Sequence, residues 1–308
     1  MQKWLLWLMA WWCVPAMAGD TITVTFTGDV LLDRGVREKI SADGVESLFS
    51  PSVDSLFSAS DVVVGNLECP VTHIHAPRQK KYIFRGEPEW LAALKQHGFT
   101  HLNMANNHTI DQGRRGLLDT RQRVMEAGMM PIGAGSSMEE AAQPVLLAET
   151  PRKVWMIASL RLALENYAYL PSHPCVSQES FDTLLQRVAT LRHDDPRCYI
   201  IVSPHWGGEN TMHPLLDQKV EAHRLINAGA DLLIGHHTHT LQDIEQYRGK
   251  HIFYSIGNFI FDLLKPQHAK ACVVTARITT DDAQVSALPI EITDCTPHIV
   301  GRSLPADK

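Results

Sequence analysis

The sequence lacks the short motifs that mark several common classes of enzyme. It has no Gly-x-Ser-x-Gly turn carrying a serine nucleophile, no glycine-rich phosphate loop with a lysine, and no His-Glu-x-x-His helix. It also has no internal repeat, no low-complexity run and no linker rich in proline or glycine. One α/β domain is therefore the simplest organisation, with the functional residues spread along the chain.

Positive charge is in deficit, which argues against one class of partner. The chain has 28 Lys and Arg against 34 Asp and Glu, so its formal net charge is -6. Such a surface does not favour a phosphate backbone, and we expect no nucleic-acid partner. The 308 residues, 44% of them hydrophobic, are sufficient to bury a substantial core.

The first 18 residues have the pattern of a secretory signal peptide. Lys3 is followed by an apolar stretch over residues 4–14 and by the small-x-small pattern Ala16-Met17-Ala18. The apolar stretch is shorter than the ~20 residues that span a bilayer, so an uncleaved anchor is the less favoured alternative. We predict cleavage after Ala18 and a mature protein in the periplasm or outside the cell.

Cysteine is scarce, and its spacing argues against a thiolate metal site. No Cys-x-x-Cys pair occurs, and only Cys13 of the six cysteines lies in the predicted signal peptide. The other five allow one or two disulfides in an oxidising compartment and leave at least one thiol unpaired. They are Cys69, Cys175, Cys198, Cys272 and Cys295.

Polar residues follow six predicted strands at the point where each strand ends. The strands are predicted at 21–27, 61–66, 100–104, 198–203, 231–234 and 252–256, and the residues after them include Asp, Glu, Asn and His. Further strands are predicted at 145–148, 154–159 and within 271–292, and helices at 88–97, 114–127, 180–191 and 216–227. In α/β folds, ligand sites form at the carboxyl ends of the strands, so these side chains are candidates for one site.

Imidazoles dominate two of these strand ends. Gly235-His236-His237-Thr238-His239 contains three histidines in four residues, and a polar loop without function does not account for that density. Neutral imidazole is the commonest side-chain metal ligand, and His237 and His239 are spaced to reach one centre. His205 follows another strand and is a further candidate, with Glu209 expected to fix the tautomer of an imidazole.

Oxygen ligands and possible catalytic groups complete the candidate site. Asp29 and Glu68 place carboxylates just past two strands, Asn107 offers an amide oxygen, and a bridging carboxylate is a common feature of two-metal sites. His108 is a candidate general acid. Arg34 is a candidate for holding an anionic group, with a surface salt bridge as a nearly equal alternative. Asn258 and Asp262 are interpreted as parts of a structural turn.

Taken together, the motifs resemble those of the capsule-synthesis CapA family, also described as the poly-γ-glutamate synthesis domain. That family looks like a branch of the calcineurin-type metallophosphoesterases. The matching stretches run in family order through residues 28–34, 66–70, 105–113, 205–209, 235–242 and 254–259. The resemblance implies a single-domain, four-layer αββα sandwich, with a CapA-like domain at 19–262 completed by C-terminal strands within 263–308.

The resemblance also implies a ligand set for one or two divalent ions of Mn, Zn or Fe. Asp29 and His239 would serve the first metal, and Asn107, His205 and His237 the second, with His108 near the scissile group. The chain departs from the phosphoesterase pattern at Leu31, where a histidine is usual, and at Asn66, where an aspartate bridges the metals. Glu68 would then have to take the bridging position, or the first site is altered.

The function implied is that of an exported, metal-dependent hydrolase or transferase in capsule or poly-γ-glutamate synthesis. Its substrate would be an anionic polymer or a phosphorylated small molecule. The alternative is a non-catalytic accessory subunit that binds a metal and a polymer beside membrane synthase or export subunits.

Overall fold

A computed structural model describes residues 20–263 and 265–304 of the chain. The predicted signal peptide, at residues 1–18, lies outside the described residues. Among the residues that are described, no helix combines the length and apolar character needed to cross a bilayer.

Two sheets form the centre of the molecule. The larger has the order β16-β15-β14-β1-β2-β3-β4, with β13 also pairing with β1. Its strands are β1 (Thr21–Val30), β2 (Val62–Leu67), β3 (His101–Asn103), β4 (Met130–Ile132), β13 (Asn258–Ile260), β14 (Lys270–Thr279), β15 (Ala283–Thr293) and β16 (Thr296–Ile299). The pairs of β1 with β2, β2 with β3 and β3 with β4 are parallel.

The second sheet has the order β11-β12-β10-β9-β7-β6, and a short pair joins β5 to β8. The strands are β5 (Ala134–Gly135), β6 (Val145–Ala148), β7 (Val154–Leu160), β8 (Cys175–Val176), β9 (Tyr199–His205), β10 (Leu232–Ile234), β11 (Ile244–Tyr247) and β12 (Lys250–Phe253). The parallel strands β7, β9, β10 and β12 end on the same edge of this sheet.

Seven α-helices occur among the described residues, with short 3-10 turns at Val45–Leu48, Pro88–Trp90 and Pro266–Ala269. The helices are α1 (Gly35–Asp43), α2 (Pro51–Ser58), α3 (Leu91–Gln96), α4 (Gly113–Glu126), α5 (Met138–Ala141), α6 (Phe181–Asp194) and α7 (Leu216–Ala228). Ser180 caps α6 by accepting a hydrogen bond from the Thr183 amide at 3.1 Å.

The alternation of side chains along the strands shows how the layers stack. Val62 and Val64 of β2 belong to a core that also contains Met156 and Ile201 of the other sheet, so the two sheets pack face to face. Val63 points the other way, into a core shared with α1, α2 and α3. On the far side, alternate residues of β9 such as Ile200 pack against α6 and α7. The predicted four-layer αββα sandwich is confirmed.

The disulfides allowed by the sequence do not form in the structure. All five described cysteines are free thiols and are buried. They are dispersed because each fills a place in apolar packing: Cys272 lies between the sheets, Cys198 beneath α6 and α7, and Cys175 in a small cluster with Met138. Cys69 and Cys295 share the core under α1 to α3 without bonding to each other.

Candidate metal centre

The site begins where β1 lies between β2 and β13. Asp29 is in register with Asn66 on one side and Asn258 on the other. A side chain at Gly28 would come within 2.0 Å of the Gly257 carbonyl oxygen, so only glycine permits this close approach of the backbones. Asn66 Nδ2 donates to Asp29 Oδ1 at 2.8 Å, which fixes the carboxylate. The other oxygen, Oδ2, has no well-aligned donor, and its neighbour is His239 Nδ1 at 3.3 Å.

Glu68, just after β2, holds the central position. The residue is fully buried, and neither of its carboxylate oxygens has a hydrogen-bond partner. Its Oε1 lies 3.8 Å from His205 Nε2 and 3.8 Å from His239 Nε2. A buried carboxylate without a donor is costly, and it is normally paired or coordinated to a metal.

Three imidazoles converge on this carboxylate from the second sheet. His205 ends β9, and His237 and His239 lie in the loop after β10. His237 (φ 97°) and His239 (φ 57°) have left-handed backbone conformations that side chains rarely adopt. Such conformations cost about 1–3 kcal/mol each and persist where the surrounding structure and function require them.

The donors fall into two groups that share Glu68. Glu68, His205 and His237 form one group, and Asp29, Glu68 and His239 form the other; within each group the ligand atoms lie within 4.8 Å of one another. Asn107 joins the first group, because its Oδ1 lies 2.9 Å from His205 Nε2. The mixed carboxylate, amide and imidazole donors, with several buried oxygens lacking a donor, fit divalent metal ions.

The charges of these groups agree with a cation site. Burial would raise the pKa of the Asp29 carboxyl, but hydrogen bonds and charge from His236 and His239 hold that pKa well below its usual range. Burial, and then the charge of His237, hold the pKa of His205 well below its usual range. Burial lowers the pKa of His237 to about 3, so both imidazoles are neutral near pH 7, as metal binding requires.

Glu68 and His239 differ from these residues. Burial would lower the pKa of the His239 imidazole, but its contact with the Asp29 carboxylate raises that pKa above its usual value. Burial and the neighbouring Asp29 charge raise the pKa of the Glu68 carboxyl well above its usual range. Two carboxylates in one buried place repel each other unless a cation lies between them. Ionisation of Glu68 beside Asp29 is therefore unfavourable unless a cation binds between them.

His108 lies beside the candidate metal ligands, and Asp111 holds one of its ring nitrogens. Its Nδ1 lies 2.8 Å from Asp111 Oδ2, and its ring stacks on Phe84 at 4.2 Å between centroids. Since the Asp111 carboxylate accepts, Nδ1 carries the proton of the neutral ring and Nε2 is the nitrogen available to a ligand. Burial lowers the pKa of His108 despite its hydrogen bond to Asp111.

Arg34 lies in the same pocket and is also part of an ion pair. Its guanidinium pairs with Asp262 and lies 4.9 Å from the centre of the Phe84 ring and 5.3 Å from that of Phe261. The salt-bridge interpretation of Arg34 is therefore confirmed, while its predicted role in holding an anionic group stays a prediction. The pocket is lined by Arg34, Tyr82, Phe84, His108, Glu209, Asn210, His239, Phe261, Lys265 and His268.

All eight residues predicted for the site lie in this region, but two supporting roles differ from expectation. Glu209 is exposed at the pocket, whereas Asn107 Oδ1 and Asn258 Oδ1 are the groups within 3.0 Å of the imidazoles of His205 and His239. Asn258 is thus more than a turn residue. It lies in β13, and its contact with His239 follows from its register with Asp29.

Several residues at the site were not selected from the sequence. His236 Nδ1 lies 3.3 Å from Asp29 Oδ1, and its place within the histidine-rich loop was a signal for it. Lys80 Nζ lies 2.8 Å from Asp111 Oδ1. His268 lies in the turn Pro266–Ala269, with Nε2 2.8 Å from Asn210 Oδ1. Neither Lys80 nor His268 follows a strand, so the pattern used to find the site could not indicate them.

Comparison with known proteins identifies similar sequences. A family model described as "Bacterial capsule synthesis protein PGA_cap" matches residues 23–263. The PGA biosynthesis protein CapA of Bacillus subtilis is 30% identical over 289 residues, which cover 92% of this chain and 75% of that protein. The capsule biosynthesis protein CapA of Bacillus anthracis is 28% identical, covering 92% of this chain and 71% of that one. A "Probable polyglutamine synthesis accessory protein" of Mycobacterium tuberculosis is 29% identical, with coverage of 80% and 76%.

Solved structures share the fold at low sequence identity. A hypothetical protein from Thermus thermophilus matches with a TM-score of 0.53 and 14% identity, over 88% of this chain and 99% of that one. The NAD nucleotidase of Haemophilus influenzae matches with a TM-score of 0.51 and 11% identity, over 88% and 56% of the two chains. Both likenesses support the predicted two-sheet α/β architecture at the level of the fold.

Proposed function

Because the chain belongs to the PGA_cap family of bacterial capsule synthesis proteins, we propose that it is an exported, metal-dependent hydrolase or transferase acting on an anionic polymer. The family ties the chain to capsule or polyglutamate synthesis. The reaction, the metal and the exported location are parts of the proposal. A phosphorylated small molecule is the other substrate that the same chemistry would accept.

The observation that carries the proposal is the position of Glu68 between two groups of donors. Its oxygens are buried without a hydrogen-bond donor, and it is common to both sets of residues with the spacing of metal ligands. Asp29 and His239 would hold one ion, and Asn107, His205 and His237 a second. When bound, a divalent ion of the Mn, Zn or Fe type supplies Lewis-acid catalysis and activates water for attack.

The residues around the donors favour an anionic substrate. Arg34 is held between two aromatic rings and Asp262, and Lys265 lies on the same pocket wall. A guanidinium fixed in this way binds a carboxylate or a phosphate with little loss of side-chain entropy. Poly-γ-glutamate and phosphorylated compounds both present such groups.

His108 is placed to handle the proton of the reaction. Asp111 holds Nδ1, so Nε2 is the nitrogen that would face a substrate in the pocket that His108 lines. In a hydrolase or transferase, His108 would protonate the leaving group after taking up a proton at Nε2. Arg34 would hold the anionic group that fixes the reacting bond against this nitrogen.

One observation favours the alternative of an accessory protein without catalysis. Leu31 is fully buried and donates its amide to the Ile260 carbonyl at 2.8 Å, so the position of a usual phosphoesterase ligand is filled by apolar packing. The group around Asp29 therefore has fewer ligands than the phosphoesterase pattern provides. A protein that binds one metal and a polymer would serve beside membrane synthase or export subunits.

The test is a metal and activity analysis of the mature protein. We expect the wild type to bind Mn²⁺ or Zn²⁺ and to cleave an aryl phosphate or a γ-glutamyl amide, and His237→Ala and His239→Ala to lose both properties. His193→Ala is the matched control, because the His193 side chain is 88% exposed and remote from the donors. Wild-type protein that binds metal but cleaves neither bond would favour the accessory role, and protein that binds no metal would exclude both.

The proposed export of the protein is tested by sequencing its amino terminus. We expect protein isolated from the periplasmic or secreted fraction to begin at Gly19 when its amino terminus is sequenced. Full-length protein beginning at Met1 and fractionating with the cytoplasm would contradict the export part of the proposal.

A further inference from the structure

Lys80 is a buried cation that the proposed chemistry does not use. Its side chain is only 6% exposed, and it pairs with Asp111, whose side chain is fully buried. Moving a lysine and a carboxylate out of water costs several kcal/mol for each ion, and a well-packed apolar pair is often at least as stable. Stability alone therefore does not account for a charged pair at this point.

The contacts of the ammonium group join two segments that build the site. Lys80 Nζ donates to the Asn107 carbonyl oxygen at 3.0 Å and to Asp111 Oδ1 at 2.8 Å. Asn107 offers its side-chain oxygen to the metal group, and Asp111 holds the ring of His108. The Lys80 ammonium group thus contacts both ends of the turn 107–111, which carries the proposed amide ligand and the proposed proton donor.

The segment that carries Lys80, residues 76–84, is attached to this turn along its length. Two backbone amides of the segment donate to Asp111: that of Arg78 to the backbone carbonyl at 2.9 Å, and that of Phe84 to Oδ2 at 2.8 Å. The backbone amide of Ala76 donates to Oε1 of the next residue, Gln112, at 2.9 Å. The segment is irregular, so these contacts rather than a helix or strand fix its path. Its residues Tyr82 and Phe84 line the substrate pocket.

We infer that Lys80 is a positioning residue that sets the place of the metal ligand Asn107 relative to His108 and the pocket wall. An apolar side chain could fill the space of Lys80 but could not donate to the Asn107 carbonyl and the Asp111 carboxylate together. Outer groups that orient metal ligands typically contribute about 10–100-fold to metal affinity or activity. This role rests on the proposed metal site and extends it to a residue outside the ligand set.

The test measures Mn²⁺ affinity by titration calorimetry and the melting temperature of the metal-free protein. We expect Lys80→Met to bind Mn²⁺ about tenfold or more weakly than the wild type. Lys81→Met is the matched control, because Lys81 is the exposed neighbour in the chain, and it should bind as the wild type does.

A double variant separates positioning from the simple loss of a charge partner. Lys80→Met alone leaves the Asp111 carboxylate buried without its cation, which lowers stability, and adding Asp111→Asn removes that charge while keeping an oxygen acceptor for Phe84 and His108. We expect the double variant to regain melting temperature but not Mn²⁺ affinity, since the Asn107 carbonyl still lacks its donor.

Three outcomes decide between the possibilities. Equal Mn²⁺ affinity in Lys80→Met and Lys81→Met would overturn the inference and leave the proposed function intact. Recovery of full Mn²⁺ affinity in the double variant would also overturn it, because Lys80 would then only neutralise Asp111. Failure of the wild type itself to bind Mn²⁺ would remove the proposed metal site and with it this role for Lys80.

Discussion

Replacing Glu68 by glutamine should have opposite effects on the metal-free and the metal-loaded protein. The carboxylate is fully buried and lacks a donor, and Asp29 adds a second negative charge beside it. A glutamine at this place has no charge, so the repulsion between residue 68 and Asp29 is removed. Removing an unsatisfied buried group of this kind is worth about 1–3 kcal/mol.

In the metal-free protein, the variant Glu68→Gln should therefore melt at a higher temperature than the wild type. In a chain of this size each kcal/mol corresponds to about 2–4 °C. With metal present the order should reverse. At a free metal concentration of about 100 times the dissociation constant, binding would stabilise the wild type by about 2.7 kcal/mol. The variant should lose that stabilisation, because it lacks the carboxylate that both donor groups share.

The pH dependence gives this prediction a second signature. A carboxyl group whose pKa is higher in the folded than in the unfolded protein destabilises the fold most above its folded-state pKa. This destabilisation decreases as the pH falls towards the pKa of the unfolded chain, near 4.5. The melting-temperature advantage of metal-free Glu68→Gln should accordingly shrink as the pH is lowered from 8 to 5.

Differential scanning calorimetry with EDTA and with MnCl₂ measures both effects, and His193→Ala serves as the control for a remote substitution. If metal-free Glu68→Gln melts at or below the wild-type temperature at pH 8, the carboxylate is compensated within the protein. Glu68 would then give no reason to place a cation between the two donor groups.

Three further predictions concern the thiols, Arg34 and a helix cap. No thiol of the native mature protein should react with a thiol reagent within minutes, and five thiols should react after denaturation, whereas six would show that Cys13 is retained. Fewer than five reactive thiols in denatured protein under non-reducing conditions would indicate a disulfide. Arg34→Gln should raise KM for an anionic substrate more than it lowers kcat, and an unchanged KM would show that Arg34 serves only its salt bridge with Asp262. Ser180→Ala should lower the free energy of unfolding by about 1 kcal/mol in urea denaturation, and no change would mean that α6 is capped by water equally well.

Much of the fold could be predicted because local pattern and tertiary structure agree. The helix predicted at 114–127 is α4 (Gly113–Glu126), and the one at 216–227 is α7 (Leu216–Ala228). The helices α1 and α2 were not predicted. α1 carries only two buried residues, Val36 and Ile40, so its apolar pattern is too sparse to distinguish it from a loop.

The site could be predicted as far as it depends on strand ends. Asp29 lies one residue before the end of β1, and Glu68, His205 and His237 end or follow strands. Parallel strands bring such residues to one edge of their sheets. Their convergence therefore follows from topology.

The remaining residues depend on irregular backbone and could not be predicted. Lys80 reaches the site from the segment 76–84, which has neither helical nor alternating periodicity. His268 reaches it from a single 3-10 turn, and Asn258 from a strand of three residues that looks like a turn in sequence. Only tertiary packing specifies where such segments lie.

The pairing of β1 with β14 has a consequence for how the chain acquires its structure. Thr25 and Thr275 lie side by side although 250 residues separate them, and β14 stands between β1 and β15 within the larger sheet. Until the segment around residue 275 has left the ribosome, the long strand that contains Asp29 has an open edge able to pair with other chains. Completion of the larger sheet thus waits for the C-terminal third of the chain, and truncations that remove β14 should be prone to aggregation.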